Sequence, residues 1–268
     1  MRILNSKKVA VVTGASSGIG KECAKIFNEN GYTVYSLSRH GKDEDGILNV
    51  TCDVTDEEQV SSAFKVIFEK EGRIDILVCC AGFGISGAVE FTDTADAKHQ
   101  LDVNFFGTVN AVHAVLPHMR KAGKGRIICV SSVAGAIPIP FQTYYSVSKA
   151  AINSYTMALI NEVRPYGISV CAVQPGDICT GFTGAREKSY AGDEIYSGRI
   201  TRSVAVMEHD EQNGMKPEKA ARLIATVASA GKVRPIYTIG FKYRLFCVLV
   251  KILPAGLVSY IVGRMYGG

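Results

Sequence analysis

Tyr145 and Lys149 stand four residues apart in the segment Tyr145-Ser146-Val147-Ser148-Lys149. On a helix that spacing puts a phenol and an ammonium on one face, where both can act on a single substrate atom. A free phenol titrates near ~10, and a fixed positive charge beside it favours the phenolate. Tyr145 is therefore a candidate general acid or base. The adjacent Tyr144 has Ser148 one turn on, so the spacing selects Tyr145. A Tyr and a Lys can also simply flank a buried helix, and the rest of the chain has to decide between the two readings.

The elements that would position this pair follow an alternating pattern. An apolar, β-branched run over residues 8–12 predicts a buried parallel strand, and it ends in Thr13-Gly14-Ala15-Ser16-Ser17-Gly18-Ile19-Gly20. A helix is expected next, with Cys23, Ala24, Ile26 and Phe27 as its buried stripe and a stop at Asn30-Gly31. Strand, glycine turn and helix in that order make an anion site, because the helix N-terminus offers unpaired amides and a positive dipole end. The glycine spacing is GxxxGxG, not GxGxxG. A second strand over 33–37 leads to Ser38-Arg39-His40. In a dinucleotide fold a carboxylate there binds the ribose 2′-hydroxyl, whereas an Arg accommodates a 2′-phosphate. Arg39 thus favours NADP(H), with NAD(H) as the alternative.

A third strand over 47–52 ends at Asp53-Val54, and Asp56 is placed to cap a helix that buries Val60, Phe64 and Ile67 or Phe68. The apolar run 74–80 predicts a fourth strand breaking at Ala81-Gly82-Phe83-Gly84. One long helix is expected over 96–121, with Leu101, Phe105, Val109, Val112 and Leu116 on its buried face and Asn104 beside that face. Asn is unfavourable inside a helix, so Asn104 is either a surface residue or kept for a specific hydrogen bond. Residues 126–130 predict a fifth strand, with Ser131-Ser132 at its C-terminal end, where open α/β sheets bind ligands. The Tyr145 helix runs to Pro165, and a sixth strand over 168–173 leads to Gln174-Pro175-Gly176 and Thr180. Residues 181–214 show no clear period and are expected to form a substrate lid. A helix to about Ala230 and a Pro-containing edge strand over 234–239 complete the pattern.

Composition narrows the function. The 268 residues are 47% hydrophobic, enough for a sizeable core and against disorder. A net charge of +5 without a basic run interleaved with aromatics gives no support to nucleic-acid binding. The eight cysteines form no CxxC, and His99, His113 and His118 have no metal-like spacing, so reduced core thiols and no metal are expected. The N-terminus enters a strand without an apolar stretch of signal-peptide length, which predicts a cytoplasmic protein. No acid follows Glu218, so the tail is basic and apolar.

With these motifs in order, the chain resembles the short-chain dehydrogenase/reductase family over roughly residues 7–240. The resemblance implies a doubly wound α/β Rossmann fold with a parallel sheet of about seven strands and helices on both faces, plus a C-terminal apolar helical extension. It implies one catalytic domain over 1–240 that includes the lid, with 241–268 as its extension. Asn104, Ser132, Tyr145 and Lys149 match the family's catalytic Asn, Ser, Tyr and Lys. Cofactor contacts are implied for Gly14, Ser16, Ser17, Gly18, Ile19, Gly20, Arg39, Asp53, Val54, Ala81, Gly82, Tyr145, Lys149, Pro175, Gly176 and Thr180. Cys80 stands where the family has the Asn of Asn-Ala-Gly, which bears on the local turn. The implied reaction is hydride transfer between nicotinamide C4 and a carbinol carbon, for which the cofactor carries the chemistry. Tyr145 would exchange the proton, Ser132 hold the substrate oxygen, Lys149 lower the phenol pKa and bind the ribose hydroxyls, and Asn104 hold a water.

The substrate expectation rests on two segments. Phe182, Tyr190, Ile195, Tyr196, Ile200, Val204, Val206 and Met207 make the lid apolar, which resembles the hydroxysteroid dehydrogenase branch acting on steroids and bile acids. A 3-oxoacyl, lipid or small-carbonyl reductase is the alternative, and a silent dinucleotide-binding sensor the non-enzyme one. The tail over 241–268, broken by Lys251 and Pro254, predicts two short amphipathic helices. They can cover the pocket, pack on a second subunit or lie on an anionic bilayer as a peripheral membrane contact. By resemblance the 96–121 and Tyr145 helices would pair across a two-fold axis into a homodimer or homotetramer.

Overall fold

The computed structural model describes residues 7–267. The outermost ends of the expected domain and tail, residues 1–6 and Gly268, lie outside the described residues.

Seven strands form one parallel sheet: β1 (Val9–Thr13), β2 (Thr33–Ser38), β3 (Ile47–Thr51), β4 (Ile76–Cys79), β5 (Gly125–Val130), β6 (Ile168–Gln174) and β7 (Ile236–Thr238). Their spatial order is β3-β2-β1-β4-β5-β6-β7. The order reverses between β1 and β4, and the crevice outside the C-terminal ends of the strands at such a switch point is where α/β sheets bind ligands. The central strands are apolar on both faces because helices cover both. On one side α2 (Glu57–Glu71), α4 (Gly107–Ala122) and α5 (Thr143–Val163) bury Phe64, Ile67, Met119 and Ile152 against Leu77 and Ile127. On the other, α1 (Gly18–Glu29) and α8 (Pro217–Ser229) bury Phe27 and Ile224 against Val12 and Ile128. Each such fully buried side chain contributes about 1.5–3 kcal/mol relative to exposure.

Local signals explain the ends of these elements. Asp56 accepts from the Gln59 amide at 3.0 Å and caps α2 as expected. Pro217 starts α8, where its missing N–H costs nothing. The cysteines are all free; Cys179 is exposed, whereas Cys23, Cys52, Cys79, Cys129 and Cys171 are buried. Among the described residues no cluster of His, Cys, Asp and Glu could hold a metal ion.

The long helix expected over 96–121 is interrupted. It divides into α3 (Thr94–Leu101), a π-helical turn over Asp102–Phe106, and α4. The extra residue of the turn rotates the chain, so the buried face is Asn104, Thr108, Ala111, Val112, Val115 and Met119. Leu101, Phe105, Val109 and Leu116, expected in the core, are only partly buried. A π turn inside a helix frequently marks a functional site, and here it delivers Asn104.

The 181–214 segment also differs from the expected aperiodic connection. It contains a short helix α6 (Phe182–Ala185) and a full helix α7 (Arg199–Gln212). Ile200, Val204 and Met207 of α7 pack with Ala88 and Phe141 into a small separate core. The tail forms α9 (Phe241–Ile252) and α10 (Ala255–Tyr266), joined at Pro254.

An Asp56→Ala variant should lose about 1 kcal/mol of stability through the α2 cap, read as a lower urea midpoint with an unchanged slope.

Candidate active site

The first turns of α5 carry Tyr145 and Lys149 to the C-terminal ends of β4 and β5. Two hydrogen bonds pin that helix to the sheet: Ser131 Oγ donates to the Lys149 carbonyl at 2.9 Å, and Lys149 Nζ donates to the Val130 carbonyl at 3.0 Å. The Lys149 ammonium lies 5.6 Å from the centroid of the Tyr145 ring. Burial penalises its charge and pulls its pKa down to about 8. Burial likewise pushes Tyr145 up to about 12; the Ser132 hydroxyl beside it pulls the other way, Glu211 adds to the rise, and Arg186 opposes it. Desolvation of the phenol is the largest of these influences. At neutral pH Tyr145 is a protonated acid.

Ser132 caps the turn Val133–Gly135, accepting from the Ala134 amide at 3.1 Å, which fixes its hydroxyl toward Tyr145. Asn104 is fully buried and acts as a clamp. Its Oδ1 accepts from the Phe83 amide at 2.9 Å, while its Nδ2 donates to the Phe83 carbonyl and to Ser148 Oγ, each at 3.0 Å. The Asn104 side chain is thus committed to joining the Gly82–Phe83 turn to α5. The turn after β4 is held to β1 by Thr13, whose Oγ1 accepts from the amides of Cys80 and Ala81 at 3.2 and 3.3 Å.

A cleft of about 640 Å³ opens from this pair toward β1 and β2. Every residue expected to contact the cofactor lines it, as do Ser132, Tyr145 and Lys149, whereas Asn104 sits behind its wall. The glycine turn fits a phosphate group. A Cβ on Gly14, whose φ is +66°, would come within 2.7 Å of Ala81 Cα, and one on Gly20 within 2.4 Å of the Gly14 carbonyl. Ser17 at the start of α1 makes no side-chain cap, which leaves the helix amides for an anion. At the far end, burial works against the Asp53 carboxylate, but the Thr55 amide and hydroxyl and then the Arg39 charge hold its pKa below the usual range. Arg39 is exposed beside it at the end of β2. The cleft matches a dinucleotide in size and polarity.

The opposite end carries residues the sequence did not single out. Arg186, buried beneath α6, pairs with Glu211 of α7. Its Nη2 also lies 3.1 Å from the Gln142 amide oxygen in the orientation that satisfies both groups. Thr183 Oγ1 donates to Glu211 at 2.7 Å. The Phe182 ring lies 5.5 Å from that of Tyr145. From the tail, Tyr243 donates to Asp177, whose pKa burial raises, and Tyr266 lines the same cavity. A Cβ on Gly176 would meet the Tyr243 ring at 2.3 Å, so Gly176 is required by this close approach. A signal for Glu211 existed: Ile200, Val204, Met207 and Glu211 share one face of α7, a charge at the end of an apolar stripe. Tyr243 and Tyr266 had none, since the seat of the tail is tertiary.

The fold, the glycine turn and the Ser-Tyr-Lys geometry define a nicotinamide-dependent oxidoreductase of the short-chain type. A profile of the short chain dehydrogenase family matches residues 8–191, and the chain belongs to that family. It is 38% identical to a 3-ketodihydrosphingosine reductase of Bacteroides thetaiotaomicron, over 97% of this chain and 98% of that protein. Among solved structures it is similar to a short-chain dehydrogenase from Streptomyces avermitilis, with TM-score 0.86 and 28% identity over 98% and 99% of the two chains. It is also similar to ElxO with NADP bound, with TM-score 0.75 and 30% identity over 89% and 99%.

The Lys149 shift has a stability consequence. Between pH of about 8 and 10.5 the unfolded chain binds a proton there that the folded chain does not, so this group makes stability rise with pH across that window. Lys149→Met should flatten the rise, measured by cofactor-free urea titrations at several pH values.

Proposed function

We propose that the protein is an NADPH-dependent reductase of a long-chain lipid ketone that carries an amine next to the carbonyl, the 3-ketodihydrosphingosine class. The observation that carries this reading is the make-up of the substrate end of the cleft. Phe182, Ile139 and Tyr266 offer apolar surface, while the carboxylates of Asp177 and Glu211 line the same space and are felt electrostatically at Tyr145. An ammonium beside the reacting carbonyl complements those charges, and an alkyl chain suits the apolar wall. The near full-length similarity to the Bacteroides reductase supports the same class.

The steroid or bile-acid substrate expected from the apolar lid fits less well. A steroid brings no cation to this end of the cleft, where Arg186 pairs with Glu211, and a bile acid brings a carboxylate of its own toward Asp177 and Glu211. The lipid-reductase alternative therefore takes first place. Arg39, with no carboxylate at the end of β2, supports NADPH over NADH.

The bound nicotinamide supplies the hydride. The chain's own residues place the ketone and deliver the proton. Ser132 donates a hydrogen bond to the substrate oxygen, and Tyr145, protonated at neutral pH, gives its proton to that oxygen as charge develops on it. Lys149 and the glycine turn hold the ribose and phosphates, and Asn104 keeps the Gly82–Phe83 turn fixed against α5. Phe182 and α6 cover the site and exclude water.

The direct test is consumption of NADPH with 3-ketodihydrosphingosine, its N-acetyl form and a set of keto-steroids. The free amine should be turned over, and acetylation should lower kcat/KM by about tenfold or more, the worth of one lost charge contact of ~1.4 kcal/mol. Turnover confined to steroids would overturn the substrate class. Tyr145→Phe should lower kcat by about 10²–10⁴-fold with NADPH affinity retained. Arg39→Asp should reverse the preference toward NADH, scored as the ratio of kcat/KM for the two cofactors; an unchanged ratio would remove Arg39 from the argument.

A further inference from the structure

The two tail helices are sparsely buried. No residue of α9 is buried, and Val262 is the one buried side chain of α10. Phe241, Leu245, Val248 and Ile252 recur at four-, three- and four-residue intervals and form one apolar stripe along α9. They are 84%, 47%, 53% and 73% exposed. After the break at Pro254 a second stripe follows on α10, with Leu257, Ile261 and Met265 exposed and Tyr260 beside them. Two adjacent helices with exposed apolar stripes are more than a monomer's scattered surface leucines, and a patch of this kind marks an interaction site.

The charges around the stripes select the partner. Lys242, Arg244, Lys251 and Arg264 lie on these two helices, and no Asp or Glu occurs after Glu218. Lys242 Nζ stands over the Tyr243 and Phe246 rings, 5.4 and 6.0 Å from their centroids, which is the disposition of a cation carried on an aromatic surface. An apolar face framed by cations without a single acid complements anionic lipid headgroups over acyl chains. A span across the bilayer is out of reach: each helix has 12 residues, about 18 Å at the usual rise, against roughly 30 Å of hydrocarbon. Among the described residues no helix is long and apolar enough to cross a membrane.

The inner sides of the same helices belong to the substrate cleft. Tyr243 of α9 covers Gly176 and bonds Asp177, and Tyr266 of α10 lines the cavity. The C-terminal end is tied to α7, where Arg199 Nε donates to the Gly267 carbonyl. One face of the tail walls the cleft and the other meets solvent.

We propose that α9 and α10 form a docking platform that lies in the surface of an anionic bilayer and sets the mouth of the substrate cleft against the lipid. The docking follows from the tail alone; entry of the ketone from the bilayer rests on the lipid-ketone reading above. The platform would hold an apolar substrate's chain in contact with acyl chains while its headgroup reaches Tyr145, so that the whole lipid never crosses water.

The test is co-sedimentation of the full chain with vesicles of phosphatidylcholine, alone or mixed with phosphatidylglycerol. Binding is expected to the mixed vesicles, weaker to the neutral ones, and weakened again at about 0.5 M salt, where charges are screened beyond a few ångströms. Val248→Glu with Ile252→Glu should lower the bound fraction about tenfold or more. Because both side chains are exposed, the variant should keep its fold and its turnover of a water-soluble short-chain ketone. A second variant, Lys251→Glu with Arg264→Glu, should lose the preference for anionic vesicles while keeping that turnover. Absence of vesicle binding, or equal binding by the Val248/Ile252 variant, would overturn the platform. So would a tail-mediated dimer that this variant splits and that ignores vesicles, since a second copy would then be what covers the face. Vesicle binding with no turnover of any lipid ketone would leave the platform standing and remove the substrate reading.

Discussion

A lysine ammonium buried at the C-terminal edge of a parallel sheet is the constraint on which this site is built. Lys149 is taken out of water, and that burial works against its charge and brings its pKa to about 8, while the Val130 carbonyl accepts from its Nζ. The fold accepts that penalty because the backbone of the same residue is held by Ser131, and because Asn104 ties α5 to the turn after β4. With α5 fixed at two points, Tyr145 has one place to be. A dinucleotide in the cleft would bring ribose hydroxyls to the ammonium and relieve the penalty, so cofactor binding and the charge of Lys149 are thermodynamically linked.

Much of this was legible in the chain because it depends on local order. The strand-turn-helix after β1, the phenol and lysine one turn apart, Ser132 at a strand end and Asp56 before α2 are short-range patterns, and each lies where its spacing places it. The failures come from what spacing cannot carry. A π turn is one extra residue in a helix, invisible to a 3.6-residue period, and it moved the buried face of α4 from Leu101 and Phe105 to Asn104 and Thr108. In α7 the periodicity was present, but a short apolar stripe of Ile200, Val204 and Met207 among charged residues gave a signal too weak to separate a helix from a polar loop.

The division of labour within the molecule follows from the same distinction. The sheet and its turns place the reacting groups, and they are built from buried backbone contacts with little room for change. The substrate end is made of α6, α7 and the tail, which meet the core through side chains: Arg186 with Glu211, Thr183 with Glu211, and Tyr243 with Asp177. Together these contacts place two carboxylates, Asp177 and Glu211, in the wall of the cavity. A buried carboxylate with polar partners still has lone pairs to offer, and truncating its partner would leave a buried charge alone, at a cost of about 3–5 kcal/mol for a buried pair. The selectivity of this end is therefore coupled to its stability. Changing the ketone it accepts requires changing how α6 and α7 are held.

Tyr243 carries that coupling to the outside of the protein. Its ring rests on Gly176, in the segment that follows β6 beside the nicotinamide side of the cleft, and its hydroxyl holds Asp177. Two residues further along the same helix, Leu245 and then Val248 face solvent. Whatever engages the outer face of α9, a bilayer in our proposal, acts on a rigid helix of three turns whose other side is part of the site. A displacement of α9 outward would free both the Asp177 carboxylate and the space over Gly176. Seating α9 against a surface opposes that displacement, so docking and completion of the pocket are the same movement. The tail is then one wall of the substrate cleft, and in our proposal the bilayer holds it closed from outside.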